Sequence, residues 1–92
     1  MVRSSKLEVN LDILKILAYQ GPMELTRLIH KVDLGQSVLE QHLDFLVRQD
    51  LVDEQNLGKD ETFYVISERG LKVLKVIVPI VEAARKIPAL LH

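Results

Sequence analysis

The sequence predicts a mainly α-helical domain that carries a small β-hairpin and ends in a long C-terminal helix. Three observations lead there. Between Gly21 and Val52, two short apolar-periodic segments are joined by Asp33-Leu34-Gly35, and the second runs into an aliphatic stretch suited to a strand. Residues 51–55 and 62–67 read as strands on either side of Asn56-Leu57-Gly58-Lys59-Asp60-Glu61, which has the turn chemistry of a hairpin. From Leu71 to Val81 only Lys72 and Lys75 are charged, so a helix there is apolar nearly all round.

Each element has its own local justification. Ser5-Lys6-Leu7-Glu8 has the Ser-x-x-Glu spacing of a capping box, in which two side chains satisfy amides that a new helix leaves unpaired. Leu7, Leu11, Leu14, Leu17 and Ala18 follow at helical spacing, and Gly21-Pro22 stops this first helix near Gln20. A second helix is expected over residues 23–32, burying Leu25, Leu28, Ile29 and Val32 and showing Arg27, His30 and Lys31 on its other side. The third starts after Gly35, where Ser37-Val38-Leu39-Glu40 repeats the capping spacing. Its inward stripe is Leu39, Leu43 and Leu46, and its outward stripe is Ser37, Gln41, Asp44 and Arg48. Asp50 follows where a left-handed backbone is expected, which Asp tolerates better than most residues. In the second strand Phe63, Val65 and Ser67 alternate with Thr62, Tyr64 and Ile66, so one set faces the core. Ser67 is a good N-cap for the last helix.

The last helix has more apolar surface than one contact covers. Val73, Ile77, Ile80, Ala84, Ile87 and Leu91 follow the alternating spacing of a coiled-coil seam, and Leu71, Leu74, Val78 and Val81 form an adjacent stripe. The reading is that the second stripe docks on the chain's own body and the seam meets a second copy. Burial of an aliphatic side chain contributes about 1.5–3 kcal/mol, so six per chain offset an association cost of roughly 4–15 kcal/mol. Pro79 removes a helical hydrogen bond and should kink this helix, and Pro88 should end its last turn. The division is thus a body over residues 1–67 and a dimerisation helix over residues 68–92.

Composition excludes several function classes. With 92 residues there is room for one modest core, and a 48% apolar, 27% charged chain is ordinary for a folded domain. The chain has no cysteine, which rules out disulfides and thiolate metal sites. The residues after Met1 form no unbroken apolar stretch, and the longest apolar run, Val76 to Val81, is far short of the roughly 20 residues that span a bilayer. A cytoplasmic protein with no membrane partner is expected. His30 with Asp33 supplies too few ligands for a metal, His42 flanks a packed helix and His92 is terminal. No nucleophile–base set and no Gly-rich phosphate loop is present, so neither an enzyme nor a cofactor is expected.

Net charge is −1, but it is unevenly spread. Residues 1–34 hold five basic and four acidic groups, residues 35–67 two basic and seven acidic, and residues 68–92 five basic and two acidic. Helix, tight turn, second helix and hairpin in that order are the outline of a winged helix-turn-helix, a scaffold that most often reads duplex DNA. On that reading Gln36, Ser37, Val38, Gln41 and Arg48 face the major groove, where Gln pairs with adenine and Val meets a thymine methyl group. Arg27, Lys31 and Lys59 contact phosphates, as do Arg3 or Lys6 if the N-terminus lies near the backbone.

Arg3, Glu8, Asp12-Ile13-Leu14, Gly21-Pro22, Thr26-Arg27-Leu28, Leu34, Leu39, Leu43, Leu46, Leu51, Tyr64 and Ser67-Glu68-Arg69-Gly70 together carry a family resemblance. In this ordered set the chain resembles small archaeal winged-helix proteins that dimerise through a long C-terminal helix. The resemblance implies a homodimeric, sequence-specific double-stranded DNA-binding transcriptional regulator. DNA-packaging members of such families tend to be basic, so the acidic third helix and wing point away from general chromatin packaging. They also keep open an alternative of a different class, a protein-interaction module whose acidic third helix and wing meet a basic partner.

Overall fold

The computed structural model describes residues 5–58 and 61–86. In chain order the elements are α1 (Lys6–Gln20), β1 (Met23–Glu24), α2 (Leu25–Val32), α3 (Gln36–Arg48), β2 (Val52–Asn56), β3 (Thr62–Ile66) and α4 (Glu68–Arg85). The mainly helical class with a small hairpin is the one the sequence predicts. The three strands pair antiparallel in the order β1-β3-β2, with Met23 opposite Tyr64 and Val52 opposite Ile66.

The core is built from one stripe of each helix. Ile13, Leu14 and Leu17 of α1, Leu28 of α2 and Leu39, Leu43 and Leu46 of α3 are essentially sealed from solvent, together with Val52. Met23, Tyr64 and Leu74 close the same cluster from the sheet and from α4. The expected capping box forms at α1, where the Glu8 amide donates to Ser5 Oγ at 3.2 Å and Ser5's own amide reaches Glu8 Oε1 at 3.5 Å. Gly21 ends α1 at φ 84°, where a side chain would be strained.

Three local expectations need correction. The second helix begins at Leu25, because Met23 and Glu24 are extended and pair with Tyr64 and Phe63 of β3. The capping box expected at Ser37 does not form. Asp33 turns left-handed at φ 55° to end α2, which leaves Gly35 as the N-cap of α3 and puts Ser37 inside its first turn. The first strand of the hairpin starts at Val52, since the Leu51 amide still closes α3 by donating to the Leu46 carbonyl at 2.9 Å.

The corner that follows sets the course of α4. Asp50 adopts φ 59°, as its position requires, and its carbonyl accepts a hydrogen bond from Ser67 Oγ at 2.6 Å. The same Ser67 oxygen caps α4 by accepting from the Gly70 amide at 2.9 Å, and the Ser67 amide donates to the Leu51 carbonyl at 3.0 Å. Gly70 is packed so closely that a Cβ would lie 2.2 Å from that carbonyl oxygen and 2.8 Å from Ile66 Cγ1.

From there α4 runs through Pro79 to Arg85 and lies against α1. Leu74, Val78 and Val81 pack on the core as the docking stripe, but Leu71 stays exposed and Ile77 joins the docked set from the seam. Val73 and Ala84 are half-buried, and Ile80, with its neighbour Val76, is about 60% exposed (59% and 61%). Ile87, Pro88 and Leu91 lie outside the described residues. Near the end of α4, Arg85 Nη2 donates to Glu8 Oε2 at 2.7 Å and ties it to the start of α1.

Two predictions follow from this packing. Replacing Gly70 with Ala drives a methyl group into backbone that has no free rotamer, so G70A should lose about 1–3 kcal/mol in urea unfolding, whereas Gly35→Ala, which meets open space, should lose far less. The Glu8 carboxyl is held below its ordinary value of 4.5, first by the Arg85 hydrogen bond and then by the Ser5 amide. Because the folded value is the lower one, this contribution is present above the unfolded value and is lost as pH falls through the folded one. Glu8→Gln should therefore flatten the acid side of the stability curve.

Candidate nucleic-acid interface

The buried leucine stripe of α3 dictates what the helix offers to solvent. With Leu39, Leu43 and Leu46 turned inward, Ser37, Gln41, Asp44 and Arg48 emerge on the opposite side, all exposed. Gln36 is exposed at the helix start and Val38 is 45% exposed beside the stripe. On α2, Arg27 and Lys31 are exposed four residues apart and so share a face. Lys59 and Arg3 lie outside the described residues. The structure therefore gathers Ser37, Val38, Gln41 and Arg48 on one helical surface, with the two α2 cations on the neighbouring helix.

One residue of this surface escaped the sequence reading. Phe45 stands four residues after Gln41 and seven after Val38, and it is 48% exposed. Its spacing from those two residues was the available signal, but an aromatic side chain reads more readily as core. Next to it, His42 Nδ1 donates to Asn10 Oδ1 of α1 at 2.8 Å, which accounts for the histidine as a structural partner. Lys6, Asn10, Gln41, His42 and Phe45 together line a cleft of about 400 Å³ between α1 and α3.

Glu40 lies on the other flank, and Asp44 stands at that edge of the stripe. Without a capping box, Glu40 has no hydrogen-bonded role at the start of α3. Asp44 does not pair with Arg48, since the ion pairs among the described residues are Lys72–Glu68 and Arg85–Glu8. Both carboxylates, with Glu54 of β2, act on the phenol of Tyr64. Burial raises the Tyr64 pKa above its ordinary value of 10.0, and the charges of Glu54, Glu40 and Asp44 raise it further. The phenol is thus held neutral by both its packing and its neighbours. Among the described residues no helix is long and apolar enough to cross a membrane.

This arrangement makes a pH prediction. The folded Tyr64 pKa lies above the unfolded one, so its share of stability is complete below about pH 10 and is lost as pH rises through the folded value. Ultraviolet titration of Y19F protein, which leaves Tyr64 as the sole tyrosine, should show ionisation above the ordinary range, and Glu54→Gln should bring it partway down.

Comparisons with known proteins bear on the fold. The chain is 27% identical over 67 residues to an uncharacterized HTH-type transcriptional regulator of Methanocaldococcus jannaschii, covering 73% of this chain and 75% of that protein. Among solved structures it is similar to HlyU of Vibrio cholerae, with 28% identity, a TM-score of 0.65, and coverage of 79% of this chain and 76% of the other. It also shares the fold of BpsR of Bordetella bronchiseptica, at 15% identity and a TM-score of 0.77, where 85% of this chain spans 56% of that one. Over residues 3–85 the sequence matches the winged helix-turn-helix family, which covers both the helical body and α4. The chain belongs to the winged helix-turn-helix family.

Proposed function

We propose that this protein is a cytoplasmic, homodimeric transcriptional regulator that binds double-stranded DNA sequence-specifically, with α3 in the major groove. The observation that carries the reading is the rigid mounting of α3. Three fully buried leucines hold one side of the helix, while Ser37, Gln41 and Arg48 stand exposed on the other. Gln41 is suited to a bidentate pair with adenine, Val38 to contact with a thymine methyl group, and Gln36, Ser37 and Arg48 to polar contacts with base edges. Arg27 and Lys31, with Lys59 of the wing, serve as phosphate contacts that set the orientation of the domain.

The dimer rests on the surface of α4 that its own core leaves uncovered. Val73, Val76, Ile80 and Ala84 form that surface, and Ile87 and Leu91 continue its spacing along the sequence. Ile77, spent on the monomer core, sits at its edge. Pairing through this stripe gives one assembly two copies of α3, so that two half-sites supply the affinity that few cations per subunit do not.

A second reading is favoured by the exposed carboxylates Glu40, Asp44 and Glu54, whose charges all act on Tyr64. In it the acidic flank of α3 and the wing recognise a basic protein. The two readings separate experimentally. Binding to a mixed-sequence duplex is measured at low and moderate salt, on protein whose mass is known from sedimentation. The DNA reading expects a dimer whose binding weakens with salt, is reduced by Arg27→Ala, and loses about 1–3 kcal/mol of operator preference in Gln41→Ala. Ile80→Asp should give a monomer that binds duplex more weakly. A protein that ignores duplex at low salt, yet holds a basic partner that Asp44→Lys releases, would establish the second reading.

A further inference from the structure

We propose that the cleft between α1 and α3 receives the DNA backbone, with Lys6 and Asn10 gripping a phosphate and His42 positioning Asn10, and that the opposite flank of α3, where Glu40 stands, gives the other strand no comparable hold. The inference rests on the DNA-binding reading above and specifies how the domain sits in the groove. A helix lying in the major groove has a sugar–phosphate wall on each side. The two flanks of α3 differ in charge. At 100° per residue, Glu40 falls on one side of the Ser37–Gln41–Asp44–Arg48 stripe, with Asp44 at that edge, and Phe45 and His42 fall on the other.

On the first flank Glu40 and Asp44 are joined by Glu54, and the three carboxylates act together on Tyr64. A phosphate wall brought against them meets like charge, most strongly at low salt. On the second flank the described lining of the cleft is Lys6, Asn10, Gln41, His42 and Phe45, with no carboxylate among these residues. Lys6 is exposed and supplies an ammonium. The bond from His42 Nδ1 occupies Asn10 Oδ1 and fixes both side chains, which leaves the Asn10 amino group as a donor. The half-exposed ring of Phe45 gives an apolar wall for a deoxyribose. The volume of about 400 Å³ is large enough to admit a sugar–phosphate unit. Gln41 lines the cleft and also belongs to the reading stripe, so a strand seated there is held next to the bases that Gln41 addresses.

The test is the salt dependence of duplex binding for the wild type, Lys6→Gln, Asn10→Ala, His42→Ala and Glu54→Gln. A phosphate contact contributes about 0.9 to the slope of log affinity against log salt. The proposal expects Lys6→Gln to reduce the slope by about that amount, and Asn10→Ala and His42→Ala to weaken binding several-fold at every salt concentration. It expects Glu54→Gln to raise affinity or leave it unchanged. Lys6 is a surface residue that its variant can lose without loss of fold. An unchanged slope in Lys6→Gln, or weaker binding in Glu54→Gln, would overturn the proposal while leaving DNA binding itself intact. A wild type that fails to bind duplex at low salt would overturn both.

Discussion

The corner where α3 gives way to the hairpin and the hairpin to α4 is the constraint on which the other relationships depend. Gly70 rests on the Leu51 carbonyl with no room for a side chain, and Ser67 is bonded to both Asp50 and Leu51. These contacts fix the direction in which α4 leaves the sheet. Leu74 then reaches the core, and Arg85 reaches Glu8 at the start of α1. The helix proposed to read DNA and the helix proposed to pair with a second copy are therefore joined through a few backbone contacts rather than a flexible linker. In a dimer built on α4, the separation of the two α3 helices would be inherited from this corner.

Charge decides how the scaffold can be used. The α3 and hairpin segment carries far more acid than base, which in isolation argues against a polyanion partner. The folded chain resolves part of the difficulty by sorting. The charges of Glu54, Glu40 and Asp44 act on Tyr64, and the α1 side presents Lys6, Asn10 and His42. A regulator of this kind would gain little from non-specific attraction, because it neutralises few phosphates, and would depend on base contacts and on two-fold engagement.

Much of the fold was legible because local rules and tertiary packing agree. The leucine stripe of α3, the box at Ser5, the left-handed Asp50 and the Ser67 cap all appear as the residue types and spacings require. The misreadings have separate causes, a distant pairing in one case and a neighbouring turn in another. Met23 and Glu24 fit a helical period but are claimed by β3. Ser37 has the spacing of a cap, yet the left-handed Asp33 moves the helix start upstream of it. The two apolar stripes of α4 were visible, but only the crossing with α1 shows that Ile77 belongs to the core and Val76 to the free surface. Of the candidate site, the exposed α3 stripe was readable from periodicity. The cleft was not, since it joins residues more than thirty positions apart whose meeting no spacing announces.

The central claim is that α3 enters the major groove with the α1 side of the domain against the backbone. Amide chemical-shift mapping of the labelled wild type during titration with a mixed-sequence duplex at low salt tests it most directly. The expected changes concentrate on residues 36–48 and on residues 6–10, with β2 little altered. Changes confined to the wing and the acidic flank, with the start of α1 silent, would contradict it.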